Sequence, residues 1–123
     1  MNRLMIVDDA LIMRMRIREV ATLAGWTVVA EAANGNEAVR LFNELQPDLV
    51  TLDMVMPELD GLQALRAIRA AKPDASVVMV SAVNQKEKLR ECIVEGALDF
   101  IVKPFDPEQL RAFFERTRKD GRE

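Results

Sequence analysis

Histidine is absent from the chain and cysteine occurs once, as Cys92. Without histidine there is no Ser-His-Asp or Cys-His catalysis, and the commonest transition-metal ligand is missing. A lone cysteine excludes an internal disulfide and makes a poor zinc site, so a bound metal has to be a hard, oxygen-loving ion such as magnesium or calcium. Excess positive charge is lacking too. The formal net charge is -3 and the pI about 5.1, which gives no general attraction to nucleic acid or anionic lipid. No apolar run approaches the length that crosses a bilayer, and the first residues lack the apolar stretch of a signal peptide. These absences point to a cytoplasmic protein with no membrane and no direct nucleic-acid partner, whose chemistry uses carboxylates, hydroxyls or lysine.

What is present suits one compact domain over residues 1–123: 50% of the 123 residues are hydrophobic and 30% charged. The runs "RLMIV", "TVVAEA", "DLVTLD", "SVVMVS" and "DFIVK" are rich in Val, Ile and Leu and nearly continuous, the pattern of strands covered by helices on both faces. Helical stripes alternate with them: Met13, Ile17 and Val20; Ala38, Leu41, Phe42 and Leu45; Leu62, Leu65 and Ile68; Leu89, Cys92 and Ile93; Leu110, Phe113 and Phe114. Alternating strands and helices predict an α/β domain with a five-stranded parallel sheet and five helices. Asn34 with Glu37 and Asn84 with Glu87 have capping-box spacing, and Asp106-Pro107 reads as N-cap and first helical residue. Pro47-Asp48 and Pro73-Asp74 mark helix ends. The polar tail "RTRKDGRE" is expected to fray from about residue 118.

In an open parallel sheet every strand delivers its last residue to one edge, where ligands bind. That edge is predicted to hold Asp8 and Asp9 after the first strand, Asp53 after the third, Ser81 after the fourth and Lys103 after the fifth. Taken singly, Asp8 or Asp9 could cap a helix, Ser81 could form a turn and Lys103 could be a solvated loop residue. Asp53 resists such a reading, because a carboxylate ending a buried run needs a cationic partner or a metal. Three crowded acids repel one another, and a divalent cation with oxygen ligands, magnesium first, relieves the repulsion. A bare phosphate cradle is disfavoured, since no Gly-rich loop follows the first strand.

Four segments, "LMIVDDA", "VTLDMVMPELDGL", "VMVSA" and "FIVKPF", resemble in order the signature regions of response-regulator receiver domains, the family of the single-domain chemotaxis regulators. The resemblance implies a doubly wound, flavodoxin-like sheet of strand order 2-1-3-4-5. It implies that Asp53 accepts a phosphoryl group from a histidine kinase, a phosphotransfer protein or a small phosphodonor. Mg2+, for which Mn2+ can substitute, would be held by Asp8, Asp9, Asp53 and the backbone carbonyl of Val55. Lys103 would pair with a phosphoryl oxygen. Ser81 and Phe100 would form the switch, the hydroxyl moving toward the phosphoryl group and the ring swinging in behind it; a permanently buried Phe100 is the alternative. Pro104 corresponds to the family's cis proline.

The implied product is a phosphoacceptor switch that catalyses only its own phosphorylation and dephosphorylation, and that binds a downstream target through the fourth helix, fifth strand and fifth helix. Chemotaxis or motility signalling is the implied setting, from the likeness of "VDDALIMRMRIREV" and "SAVNQ" to stand-alone regulators. A phosphorelay intermediate, or a receiver from a larger regulator with a DNA-binding or enzymatic output, are the alternatives. A metal-dependent phosphatase is a further class, but Val55 occupies the place of its second acid. Val55 and Val83 also stand where other members carry polar side chains that help place the hydrolytic water, which predicts slow self-dephosphorylation.

Overall fold

The computed structural model describes residues 1–119. Its elements run β1 (Arg3–Val7), α1 (Leu11–Leu23), β2 (Thr27–Ala32), α2 (Gly35–Leu45), β3 (Leu49–Leu52), α3 (Gly61–Ala71), β4 (Val77–Ser81), α4 (Lys86–Val94), β5 (Asp99–Val102) and α5 (Pro107–Thr117). The strands form one parallel sheet in the order β2-β1-β3-β4-β5. The fold class and strand order are those the sequence and the resemblance implied.

Side chains alternate between sheet faces, so each central strand feeds two cores. Met5, Val7, Val50, Leu52, Val77 and Met79 meet Ala38 and Phe42 of α2, Leu62, Leu65 and Ile68 of α3, and Cys92 of α4. Leu4, Ile6, Leu49, Val78, Val80 and Ile101 meet Ile17 and Ala21 of α1 with Leu110, Phe113 and Phe114 of α5. Each fully buried Leu, Ile or Phe contributes roughly 1.5–3 kcal/mol of transfer free energy. Trp26 is buried before β2, at the sheet edge opposite the strand C-termini, and its indole N–H donates to the Phe114 carbonyl at 2.8 Å.

The caps divide. Asp106 accepts from the Glu108 amide with Pro107 at the first helical position, as expected. Asn34 accepts from the Glu37 amide at 2.8 Å, but the Glu37 carboxylate reaches back to the Ala33 amide, so only half of the expected box forms. The Asn84–Glu87 box does not form: α4 starts one residue later, after Gln85, and has no side-chain cap. The complete box is Asp60 with Gln63 at α3, where each side chain takes the other's amide. Two strands also depart from expectation. β2 and β5 are only partly covered, because they lie at the sheet's two edges with a neighbour on one side alone. The expected fraying tail begins with residues that are held, since Asn2 and Lys119 exchange two hydrogen bonds at 2.7 and 2.8 Å; its remainder, 120–123, lies outside the described residues.

Candidate functional site

β1 ends at Val7, and the chain turns at once toward α1. Asp8 is 1% exposed; its amide donates to the Ala32 carbonyl at 3.0 Å and its Oδ1 accepts from the Ala10 amide at 2.9 Å. That turn leaves Asp9 exposed at the rim. Next door, β3 ends at Leu52. The Asp53 amide donates to the Val7 carbonyl at 3.1 Å, which extends the ladder one residue and puts the carboxylate of this buried residue beside Asp8. Carboxylate oxygens of Asp8, Asp9 and Asp53 all lie within 4.8 Å of one another.

Lys103 closes the group from the far side. Its amide donates to the Ser81 carbonyl at 2.8 Å, which joins the ends of β4 and β5. Its ammonium donates to Asp8 Oδ2 at 2.5 Å and Asp53 Oδ2 at 3.3 Å. The Lys103–Pro104 peptide is cis, as the resemblance implied. Ser81 is buried at the same edge, its hydroxyl 3.5 Å from the Val83 amide. Phe100 is partly buried on β5 and, like Val83, packs against the core that holds Met54. Val55 is 66% exposed, and its amide approaches Asp53 Oδ1 at 3.4 Å. The acids, the lysine and the serine thus occupy the single edge the sequence assigned to them.

The donor set fits a hard divalent cation. It offers only oxygens, two of the three acids are buried, and one ammonium leaves the cluster a formal charge of -2, from three carboxylates and one lysine. Beside Asp53 a groove of about 450 Å³ opens between the loops after β3 and β4, lined by Met54, Val55, Val83, Asn84 and Lys88 among others. A larger cavity of about 540 Å³ lies at the opposite edge near Trp26, Asp48 and Lys72 and contains none of the three acids.

Sequence reasoning missed the residues that shape this pocket from outside. A Cβ on Gly61 would sit 2.1 Å from the Asp53 carbonyl oxygen, and one on Gly35 2.0 Å from that of Leu59. Only glycine lets α3 and α2 press so closely on the loop after Asp53. Arg14 donates to the Asp8 carbonyl and to Glu31. Partial burial opposes ionisation of Glu31, but hydrogen bonds and charge from Arg18 and Arg14 outweigh it and hold the carboxyl below the usual range. The Cys92 thiol, by contrast, is pushed up by burial and then by the Glu91 charge.

Residues 4–115 match the model of the response regulator receiver domain. The chain belongs to that family. Among receivers, it is 47% identical over 119 residues to the chemotaxis protein CheY of Listeria monocytogenes, covering 97% of this chain and 100% of the relative. It is 46% identical to the chemotaxis protein CheY of Thermotoga maritima, covering 89% and 91%. The CheX-CheY-BeF3-Mg+2 complex of Borrelia burgdorferi holds a chain that superposes with a TM-score of 0.88 at 32% identity, covering 94% of this receiver and 90% of that chain. The receiver is therefore a module of two-component signal transduction, and no helix among its described residues is long and apolar enough to cross a membrane.

Proposed function

We propose that this receiver accepts a phosphoryl group on Asp53 in a Mg2+-dependent reaction and that the modified form changes its affinity for a partner in chemotaxis-type signalling. The observation that carries this reading is the clustering of Asp8, Asp9 and Asp53 with the Lys103 ammonium bonded to both buried acids. Asp8, Asp9, Asp53 and the Val55 carbonyl are the ligands; Mn2+ can replace Mg2+. When bound, the ion offsets repulsion among the carboxylates and favours negative charge on the phosphoryl oxygens.

A carboxylate oxygen of Asp53 attacks phosphorus, forming an O–P bond as the P–N bond of a phosphohistidine, or the P–O bond of an acyl phosphate, breaks with its electron pair on the leaving group. Lys103, bonded to the two buried acids before transfer, turns to the arriving phosphoryl oxygens. Ser81 offers a hydroxyl from the end of β4, and Phe100 follows on β5. Val55, exposed beside the acceptor, supplies no polar atom from its side chain to hold a hydrolytic water. The only chemistry assigned to the chain is its own phosphorylation and dephosphorylation.

A histidine kinase or phosphotransfer protein is the donor. The downstream target docks on α4, β5 and α5, where Ile93 and Val94 of α4 and Val102 of β5 are exposed apolar residues. The chemotaxis assignment is supported by matches to CheY proteins of two bacteria over about nine-tenths or more of each chain, and magnesium by its presence in the Borrelia complex. The test is intact mass after incubation with acetyl phosphate, with Mg2+ or with EDTA, for wild type and Asp53→Asn. One phosphoryl adduct on the wild type with Mg2+ alone is expected. An adduct of equal yield on Asp53→Asn defeats the acceptor assignment.

A further inference from the structure

Arg14 lies one helical turn into α1, between β2 and the acidic turn, and none of the chemistry above uses it. Its side chain is 16% exposed. Nη1 donates to the Asp8 carbonyl at 2.7 Å, and Nε donates to Glu31 Oε1 at 3.0 Å. The other Glu31 oxygen accepts from Arg18 Nε at 3.0 Å and Nη2 at 2.6 Å. Glu31 is thus fixed from two sides, and it in turn orients the Arg14 fork.

The Asp8 peptide is held to β2 at both of its polar ends. Its amide is bonded to Ala32; its carbonyl is bonded, through Arg14, to the residue just before Ala32. The Asp8 carbonyl shares one rigid plane with the Asp9 amide. Fixing that oxygen fixes the point from which the Asp9 carboxylate departs, just as the Ala10 amide and Lys103 fix the Asp8 carboxylate.

We propose that Arg14, oriented by Glu31, is a positioning residue that holds the Asp8–Asp9 turn in the arrangement needed to bind the divalent cation. The proposal rests on the metal-dependent reading of the pocket. Charge and geometry make opposite claims about this residue. A guanidinium near three acids repels an incoming cation, so removing it would tighten binding if charge were its main effect. If position is its main effect, removing it weakens binding. Glu31 is shared with Arg18, so the trio keeps one formal positive charge, and the balance toward position rests on the direct bond from Nη1 to the Asp8 carbonyl.

The experiment uses the full chain and Mg2+ as probe, with calorimetric titration of the wild type, Arg14→Met and Arg14→Lys, well below each protein's melting temperature. Arg14→Met keeps the length of the side chain but has no donor. Arg14→Lys keeps the charge but cannot span Asp8 and Glu31 together. Both variants are expected to bind Mg2+ about tenfold more weakly, the lower end of what outer-shell partners typically contribute. Amide hydrogen exchange at Asp8 and Ala10, whose amides are bonded to the Ala32 carbonyl and the Asp8 carboxylate, should be faster in the metal-free variants than in the wild type. At saturating Mg2+ the rate of adduct formation should return to the wild-type value, a separation that general destabilisation would not produce. Equal or tighter Mg2+ binding by Arg14→Met overturns the proposal, as does unchanged exchange at those two amides. If the wild type itself binds no Mg2+, the metal reading fails, and the exchange comparison still decides whether Arg14 holds the turn.

Discussion

Replacing Lys103 with methionine should destabilise the metal-free protein and at the same time strengthen its hold on Mg2+. The ammonium bonds Asp8 at 2.5 Å and Asp53 at 3.3 Å, with side-chain exposures of 13%, 1% and 9% for the lysine and the two acids. Removing one partner of a buried ion pair typically costs about 3–5 kcal/mol, because the remaining charge stays buried without compensation. Asp9 opens the pocket to water on one side, which favours the lower figure. At roughly 3 °C per kcal/mol for a domain of this size, the melting temperature should fall by about 10 °C. The same change takes the cluster from a formal -2 to -3. A divalent ion no longer faces one positive charge at about 4 Å, worth roughly 2 kcal/mol even at the dielectric constant of water, so binding should tighten by about tenfold or more. Added Mg2+ should accordingly recover much of the lost melting temperature, while adduct formation from acetyl phosphate slows. Thermal melts with and without Mg2+, together with calorimetric titration, measure both effects. A metal-free melting temperature within about 2 °C of wild type, or weaker Mg2+ binding, would refute the argument.

Slow self-dephosphorylation follows from the exposed aliphatic side chain of Val55 beside Asp53; the adduct should persist in Mg2+ without phosphatase, and Val55→Asn should shorten its life by less than the ~100-fold of a full general base, both read by intact mass against time. Gly61→Ala would drive a methyl group to 2.1 Å from the Asp53 carbonyl, so a loss of about 1–3 kcal/mol in denaturant melts is expected, with weaker Mg2+ binding because the acceptor loop must shift. Glu31 has a folded pKa below its unfolded value, so its contribution to stability is present above that unfolded value, 4.5, and is lost as pH falls through the lowered folded one. Melting curves across that range should show a shallower acid decline for Glu31→Gln than for the wild type.

The sheet and the site were legible because both depend on short-range pattern. Buried strands announce themselves as Val- and Ile-rich runs, and a parallel sheet sends the residue after each run to one edge, so Asp8, Asp53, Ser81 and Lys103 could be gathered without coordinates. Charge suggested a divalent cation among the crowded acids, while the individual ligands were implied only by the resemblance. What escaped depends on which elements are neighbours. The Arg14–Glu31 pair forms only because β2 lies beside β1, an order implied by resemblance and not by spacing. Gly61 and Gly35 look like ordinary helix starts until a carbonyl is seen where a Cβ would be. The partial exposure of β2 and β5 has the same origin, since a run of apolar residues does not say whether its strand is central or at an edge. Asn84 misled because capping-box spacing also occurs by composition, and Asp60 was overlooked as a cap because it sits inside a segment read for its chemistry.

The central claim is that one carboxylate among three receives the phosphoryl group, and the measurement that addresses it most directly is reductive trapping of the modified wild-type protein. Borohydride cleaves an aspartyl phosphate to homoserine at the residue that carried it, and peptide sequencing by mass spectrometry then locates the change. Conversion at Asp53 alone, dependent on Mg2+, is the predicted result. Conversion at Asp8 or Asp9, or a label that resists borohydride because it is not an acyl phosphate, would contradict the account.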